Sequence, residues 1–301
     1  MGILQCIGNT PITSIELNPN PGVKVFAKLE GNNPGGSIKD RIALYMIEAA
    51  EKQGDLTRDK IILEATSGNT GIGLAMVATA KRYRVKLTMP ACVSIERRRV
   101  LEAFGAELIL TPPGEGTDGA IRLAHKILSE EPGKYFMPNQ FDNEANVMAH
   151  YETTGKEIIE QTNGRITHFV AGMGTTGTLM GVSKRLKEFN SDIRIVGVEP
   201  ILNHRIQGLK NMSESIRPKI FDPARLDEHY FVNDEEAFDT TRTLAMKEGL
   251  FVGMSSGAAM HIALRKSSEL KEGTIVVILP DRGDRYLSTS LFTSVCAKCP
   301  P

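Results

Sequence analysis

The chain is short of three things, and each shortage excludes a class of protein. Cysteine is the first: four occur in 301 residues, Cys6, Cys92, Cys296 and Cys299. So few and so scattered, they make no disulfide framework and fit a reducing compartment. Cys296 and Cys299 form a C-x-x-C pair just before Pro300 and Pro301. A closed zinc site takes four ligands and no second pair exists, so a frayed tail without metal is expected, with a redox or shared-metal role as the alternative. An excess of either charge is the second absence. Lys plus Arg and Asp plus Glu number 36 each, so the formal net charge is zero. A nucleic-acid footprint is not expected, and the longest basic run, Arg97-Arg98-Arg99, reads as a solvated helix face. Long apolar runs are the third, since none approaches the roughly 18 residues of a membrane span. Met1 to Cys6 carries neither the basic nor the apolar segment of a secretion signal. Cys6 also stands where a myristoylation pattern wants Ser or Thr. The expectation is a cytoplasmic protein with neither membrane nor nucleic acid as partner.

What is present is an ordinary globular composition, 41% hydrophobic and 24% charged, in a length that suits about two domains. Strand and helix patterns alternate. Strands are expected at 23–30, 60–65, 85–89, 107–110, 168–171, 194–199 and 274–279. Helices are expected at 37–53, 71–82, 95–104, 117–129, 150–161, 178–189, 238–247 and 257–270. Residues 200–230 show weak periodicity, with Pro200, Gly208, Pro218 and Pro223, and read as a long lid-like segment. Such alternation implies an α/β fold with parallel sheets covered on both faces.

Ligands in such folds sit where strands end and helices begin, and four of these junctions are rich in small polar residues. In Gly31 to Arg41, Lys39 falls in the first turn of a helix, where the backbone dipole disfavours a cation. That field lowers its pKa and favours the free amine, the form that attacks carbonyls. Thr66-Ser67-Gly68-Asn69-Thr70 exceeds what a simple cap requires and reads as an anion site at a helix N-terminus. Gly172 to Thr178 combines a G-x-G-x-x-G with Thr175, Thr176 and Thr178, whose hydroxyls suit a compact phosphate monoester. Gly253-Met-Ser255-Ser256-Gly257 opens another helix, with either serine available as a cap.

These motifs, together with Ile7-Gly-Asn-Thr-Pro11 and Asp281-Arg-Gly-Asp-Arg-Tyr-Leu-Ser288, resemble in this order the cysteine synthase family, fold-type II enzymes that use pyridoxal 5′-phosphate (PLP). The last motif is most similar to B-type members. The resemblance implies a tryptophan synthase β-like fold of two domains, each with a helix-covered, mostly parallel sheet. A larger domain would comprise 1–34 and 146–301, and a smaller mobile one 35–145. It implies that Lys39 carries PLP as a Schiff base and then moves the substrate Cα proton. Acetate would leave O-acetyl-L-serine to give an aminoacrylate, and sulfide or thiosulfate would add, forming L-cysteine or its analogue. Asn69 would bond the ring's 3′ oxygen, Gly174, Thr175, Thr176, Gly177 and Thr178 the phosphate, and Ser255 the ring nitrogen. Thr66, Ser67, Gly68, Thr70 and Gln140 would hold the substrate carboxylate. Ile206 to Leu209 would close over it, with Lys210 and Asp281 shaping the sulfur-donor pocket. Lys210 and Pro280 stand where B-type members often have arginine and cysteine, which bears on thiosulfate use. Members of the family are usually homodimers.

Rival readings stay open. Within PLP enzymes, the alternative is a relative acting on O-phosphoserine or serine. Outside them, Gly172, Gly174 and Gly177, followed 22 residues later by Glu199, match a dinucleotide fingerprint and an NAD-dependent oxidoreductase. A catalytically silent fold-mate is a third, against which Lys39 argues.

Overall fold

The computed structural model describes residues 2–66, 68–213 and 216–292. Ser67 and the Cys296/Cys299 pair lie outside the described residues. The strands are β1 (Ile12–Ser14), β2 (Val23–Leu29), β3 (Ile61–Ala65), β4 (Arg84–Pro90), β5 (Glu107–Thr111), β6 (Tyr135–Phe136), β7 (His168–Gly172), β8 (Arg194–Pro200), β9 (Glu228–Val232) and β10 (Gly273–Leu279). The helices are α1 (Lys39–Gln53), α2 (Asn69–Lys81), α3 (Ile95–Ala103), α4 (Gly116–Glu130), α5 (Glu144–Ala149), α6 (Gly155–Gln161), α7 (Gly177–Phe189), α8 (Asp234–Glu248) and α9 (Met254–Glu269).

Two sheets result. One has six strands in the order β1-β2-β10-β7-β8-β9 and is parallel except for β1. The other has four parallel strands, β5-β4-β3-β6. Alternate residues of a strand face opposite sides, and here both sides are apolar. Val170, Val196 and Val277 pack with Phe238, Ala258 and Ile262 of α8 and α9. Their neighbours Phe169, Ile195 and Val276 pack with Leu179, Val182 and Leu186 of α7. In the smaller sheet, Ile62 and Leu87 meet Ile42, Met46 and Ala75 of α1 and α2, while Leu63 meets Ala120 and Ala124 of α4. Each Val, Leu, Ile, Phe or Met among them contributes about 1.5–3 kcal/mol through its burial. The α/β expectation, with parallel sheets covered on both faces, holds.

The differences lie at element ends and in short strands. Helix α2 starts at Asn69, ahead of the expected 71, so Asn69 and Thr70 sit inside its first turn. Helix α9 starts at Met254 with Gly253 at the cap position, so neither Ser255 nor Ser256 caps it. The helix expected from 150 begins at Glu144, and α5 runs into α6 through a π turn at His150–Thr154. Helix α8 begins at Asp234 because Asn233 and Glu236 form a reciprocal capping box. Strand β9 lies inside the weakly patterned 200–230 stretch.

Arg97 overturns the solvated-face reading. Its buried stripe on α3 is Arg97 and Leu101, whereas the apolar Ile95 and Val100 point outward. The arginine is 1% exposed. Arg98 is turned to the carbonyls of Ala91 and Val93, and Arg99 alone of the three is exposed.

Candidate active site

A cavity of about 600 Å³ opens between the strand ends of the two sheets. Lys39, Asn69, Thr70, Gln140, Gly174, Thr175, Thr176, Thr178, Lys210 and Ser255 all line it. Of the remaining expected residues, Thr66, Gly68, Gly177 and Asp281 stand behind its walls.

Lys39 opens α1. Ser37 Oγ accepts from its backbone N–H at 3.2 Å, and the Ile38 N–H donates to Pro280 O at 2.9 Å. These bonds tie the loop after β2 to the loop after β10. Among the described residues, the Lys39 Nζ makes no hydrogen bond or ion pair. Burial lowers its pKa from the ordinary lysine value, against the opposing pull of Asp281 and Glu30. Two residues on, Arg41 anchors the helix in a buried charge cluster that the sequence pattern did not reveal. Its guanidinium forks onto Glu30 at 2.8 and 2.9 Å and onto Glu157 at 2.6 and 2.7 Å. Lys28 Nζ completes the set, 2.6 Å from Glu157 Oε2 and 2.7 Å from Thr10 O.

The loop after β3 is shaped by Thr66 and Arg97. Thr66 Oγ1 accepts from the N–H groups of Gly68 and Gly71 at 3.0 and 3.2 Å. Gly68 has φ +141°, and a Cβ there would lie 2.4 Å from Arg97 Cδ, so only glycine fits. Thr70 Oγ1 donates to Gln140 Oε1 at 2.6 Å, and Gln140 Nε2 donates to Ala65 O at 3.0 Å. One N–H of Gln140 is left for a ligand. Asn69 is clamped at both ends of its amide: Nδ2 donates to Asp281 Oδ2 at 2.6 Å, and Oδ1 accepts from Arg285. Its second N–H remains.

The loop after β7 delivers the N-terminus of α7, with Thr176 in the left-handed region at φ +67°. Asn146 Nδ2 donates to Thr175 Oγ1 at 3.2 Å and to Gln140 O at 2.7 Å, linking this loop to the previous one. His150 Nε2 is 3.2 Å from Thr178 Oγ1. Burial, with Lys39 and Arg41 nearby, holds the His150 pKa well below its usual value, which favours the neutral ring. The loop itself carries no cation. Unpaired amides and the helix dipole make it a seat for an anion.

Asp281 does not face the cavity. Its carboxylate accepts from Asn69 and from Tyr286 OH, the latter at 2.6 Å, with Arg97 Nη2 at 3.8 Å. It lies behind the wall that the sulfur-donor expectation had it forming. Glu199 is also elsewhere: it is buried, accepts from Met212 N at 2.7 Å, pairs with His229 Nε2 at 2.7 Å, and lines a separate cavity of about 370 Å³. That placement removes the ribose-binding acid from the dinucleotide reading. No group of His, Cys, Asp and Glu able to hold a metal occurs among the described residues.

Comparison with known proteins meets this geometry. A family model described as pyridoxal-phosphate dependent enzyme matches residues 3–281. The chain is 48% identical to a cysteine synthase of Aquifex aeolicus over 97% of this chain and 92% of that one. It is 47% identical to cysteine synthase B of Escherichia coli over 96% and 95%. The crystal structure of an O-ureido-L-serine synthase superposes with a TM-score of 0.92 at 39% identity, covering 97% of this chain and 95% of the other. The chain belongs to the pyridoxal-phosphate dependent enzymes and, within them, to the cysteine synthase family.

Proposed function

We propose that this protein makes L-cysteine from O-acetyl-L-serine and sulfide, releasing acetate, in a PLP-dependent β-replacement. The observation that carries the reading is one cavity into which a buried, unpaired lysine amine and an amide-rich helix N-terminus both open. The donor set fits PLP: an amine for its aldehyde, amides and threonine hydroxyls for its phosphate, and a neutral hydroxyl, Ser255, for its ring nitrogen. When bound, PLP supplies a ring that withdraws electrons from the substrate Cα.

The chain's residues divide the remaining work. Lys39 Nζ holds the cofactor, then takes the Cα proton and returns it. Burial lowers the pKa of that amine and so favours its free-base form. Gly174 to Thr178 seat the phosphate, whose roughly two negative charges meet amides and the dipole of α7. The free N–H of Asn69, its amide held by Asp281 and Arg285, would be a fixed donor for the ring's 3′ oxygen. The backbone N–H of Thr70 and the remaining N–H of Gln140 hold the substrate carboxylate, on a loop that Thr66 shapes from behind the wall. Ile206 to Leu209 cover the bound substrate and exclude water.

We infer further that residues 35–145 form a smaller domain that closes on 1–34 and 146–301. Support comes from the four-stranded sheet, whose strands all fall between Ile61 and Phe136. Few, scattered cysteines and the habit of the family support a cytoplasmic homodimer. The test is spectroscopic and chemical. Pure protein with PLP should absorb in the visible, change that band on addition of O-acetylserine, and release cysteine with sulfide. Lys39→Ala should lose the band and the turnover. A colourless wild type, or an active Lys39→Ala, refutes the reading.

A further inference from the structure

Among the described residues, four lysine or arginine side chains line the cavity: Lys39, Arg97, Arg205 and Lys210. Three are committed to partners within the protein. Arg97 donates to Gln207 Oε1 at 2.9 Å and to Tyr286 OH at 2.6 Å. Arg205 Nε is 2.9 Å from Asp234 Oδ2. Lys210 Nζ is 3.0 Å from Asp118 Oδ1. This last pair is different in kind, because the carboxylate also faces the cavity. It joins α4 to the segment after Leu209. Asp118 grips that segment twice, since its Oδ2 also accepts from Ile216 N at 3.2 Å. Lys210 is fixed as well. Its backbone N–H donates to Met173 O at 2.8 Å, its ammonium stands 5.0 Å from the Phe141 ring centroid, and the residue is 9% exposed.

The consequence concerns reactants. The substrate carboxylate has its own neutral donors in the Thr70 backbone N–H and the second N–H of Gln140, since the Thr70 hydroxyl is spent on Gln140 Oε1. A second anionic group, on the leaving group or on the sulfur donor, needs a free cation in the same cavity. Lys210 is well placed to supply one, and Asp118 both occupies it and presents a like charge to the newcomer.

We propose that Asp118 is a specificity determinant of this site. By pairing with Lys210 at the cavity wall, it restricts the enzyme to an uncharged ester leaving group and a small monoanionic nucleophile such as hydrosulfide. It turns away divalent anions, whether a phosphate ester or thiosulfate. The inference rests on the β-replacement reading for its substrates but not for its anion chemistry, so two measurements separate them.

The first is calorimetric titration of the PLP-loaded protein with sulfate, a divalent anion that does not react. Asp118→Asn should bind sulfate at least tenfold more tightly than wild type, the gain of about one charge-assisted hydrogen bond. Asp118→Asn combined with Lys210→Met should lose that gain. The second is turnover with O-acetylserine and either sulfide, followed as cysteine, or thiosulfate, followed as S-sulfocysteine. The thiosulfate-to-sulfide ratio of kcat/KM should rise at least tenfold in Asp118→Asn. Equal sulfate affinities overturn the proposal, as does a fall in both donors together, which would make Asp118 a strut alone. A wild type that binds sulfate weakly yet makes no cysteine refutes the β-replacement reading and leaves the anion gate standing.

Discussion

Glu157→Gln tests the buried charge cluster beneath Lys39. The substitution keeps the shape of the side chain and a carbonyl that can accept from the Asn9 N–H, which lies 3.0 Å from Glu157 Oε1. It removes the negative charge shared by Arg41 and Lys28, leaving two buried cations facing Glu30 alone. Burial raises the Glu157 pKa, but Arg41 and Lys28 outweigh it and hold the carboxyl down at about 2. Relative to the ordinary value of 4.5, that depression corresponds to about 3 kcal/mol of stability. The figure agrees with the roughly 3–5 kcal/mol expected when one partner of a buried pair is removed. A carboxyl with a depressed folded pKa stabilises fully above its unfolded pKa and loses that contribution as pH falls through the folded one. Urea unfolding followed by circular dichroism should therefore show the variant less stable by about 3 kcal/mol at pH 7. The gap should narrow steadily from pH 4.5 toward pH 2. A loss under about 1 kcal/mol at pH 7, or a gap unchanged at low pH, would mean that the four charges do not act as one unit.

Other outcomes follow from the same coordinates. A Cβ on Gly177 would fall 1.9 Å from Asn146 Oδ1, and Asn146 is held by Gln140 O and Thr175 Oγ1. Gly177→Ala should weaken PLP affinity at least tenfold in a visible titration, and unaltered affinity would remove the phosphate from this loop. Ser255→Asp puts a carboxylate where a buried neutral hydroxyl stands; it should slow acetate release or impair PLP binding, and normal values of both would count against Ser255 facing the ring nitrogen. Burial raises the Glu64 carboxyl to about 8, although amides of Asn139, Gln140 and Ala65 face it. Wild-type stability should decline as pH rises from 4.5 to 8, because the unfolded chain gives up that proton first. Glu64→Gln should show a flatter profile over this window, and parallel profiles would refute the assignment.

Much of this was readable because local pattern and fold agree. The β-branched run of β10, Thr274 to Leu279, is apolar on both faces and lies between β2 and β7. The polar junctions were readable too, since five small polar residues running into a helix start exceed what a cap needs. Lys28 was not. It sits in an alternating strand on what looks like the polar face, and its carboxylate partner is 129 residues away. Arg97 was hidden differently: its helix turns an arginine inward and exposes Ile95, because Tyr286 and Gln207 offer partners that no local window contains. The same distance effect concealed Asp281, whose carboxylate finds Asn69 212 residues earlier in the chain. Strand β6, two residues long, is too short to carry a period.

Asn69 is immobilised before any ligand arrives. An amide on a free side chain must give up rotational freedom to meet a ligand, and that loss is subtracted from affinity. Here Asp281 and Arg285 have already arrested it from opposite sides. A cofactor ring seated as proposed would meet a donor whose direction was settled during folding. Recognition there would be inherited from Asp281 and Arg285, and a change to either would be felt as a loss of aim.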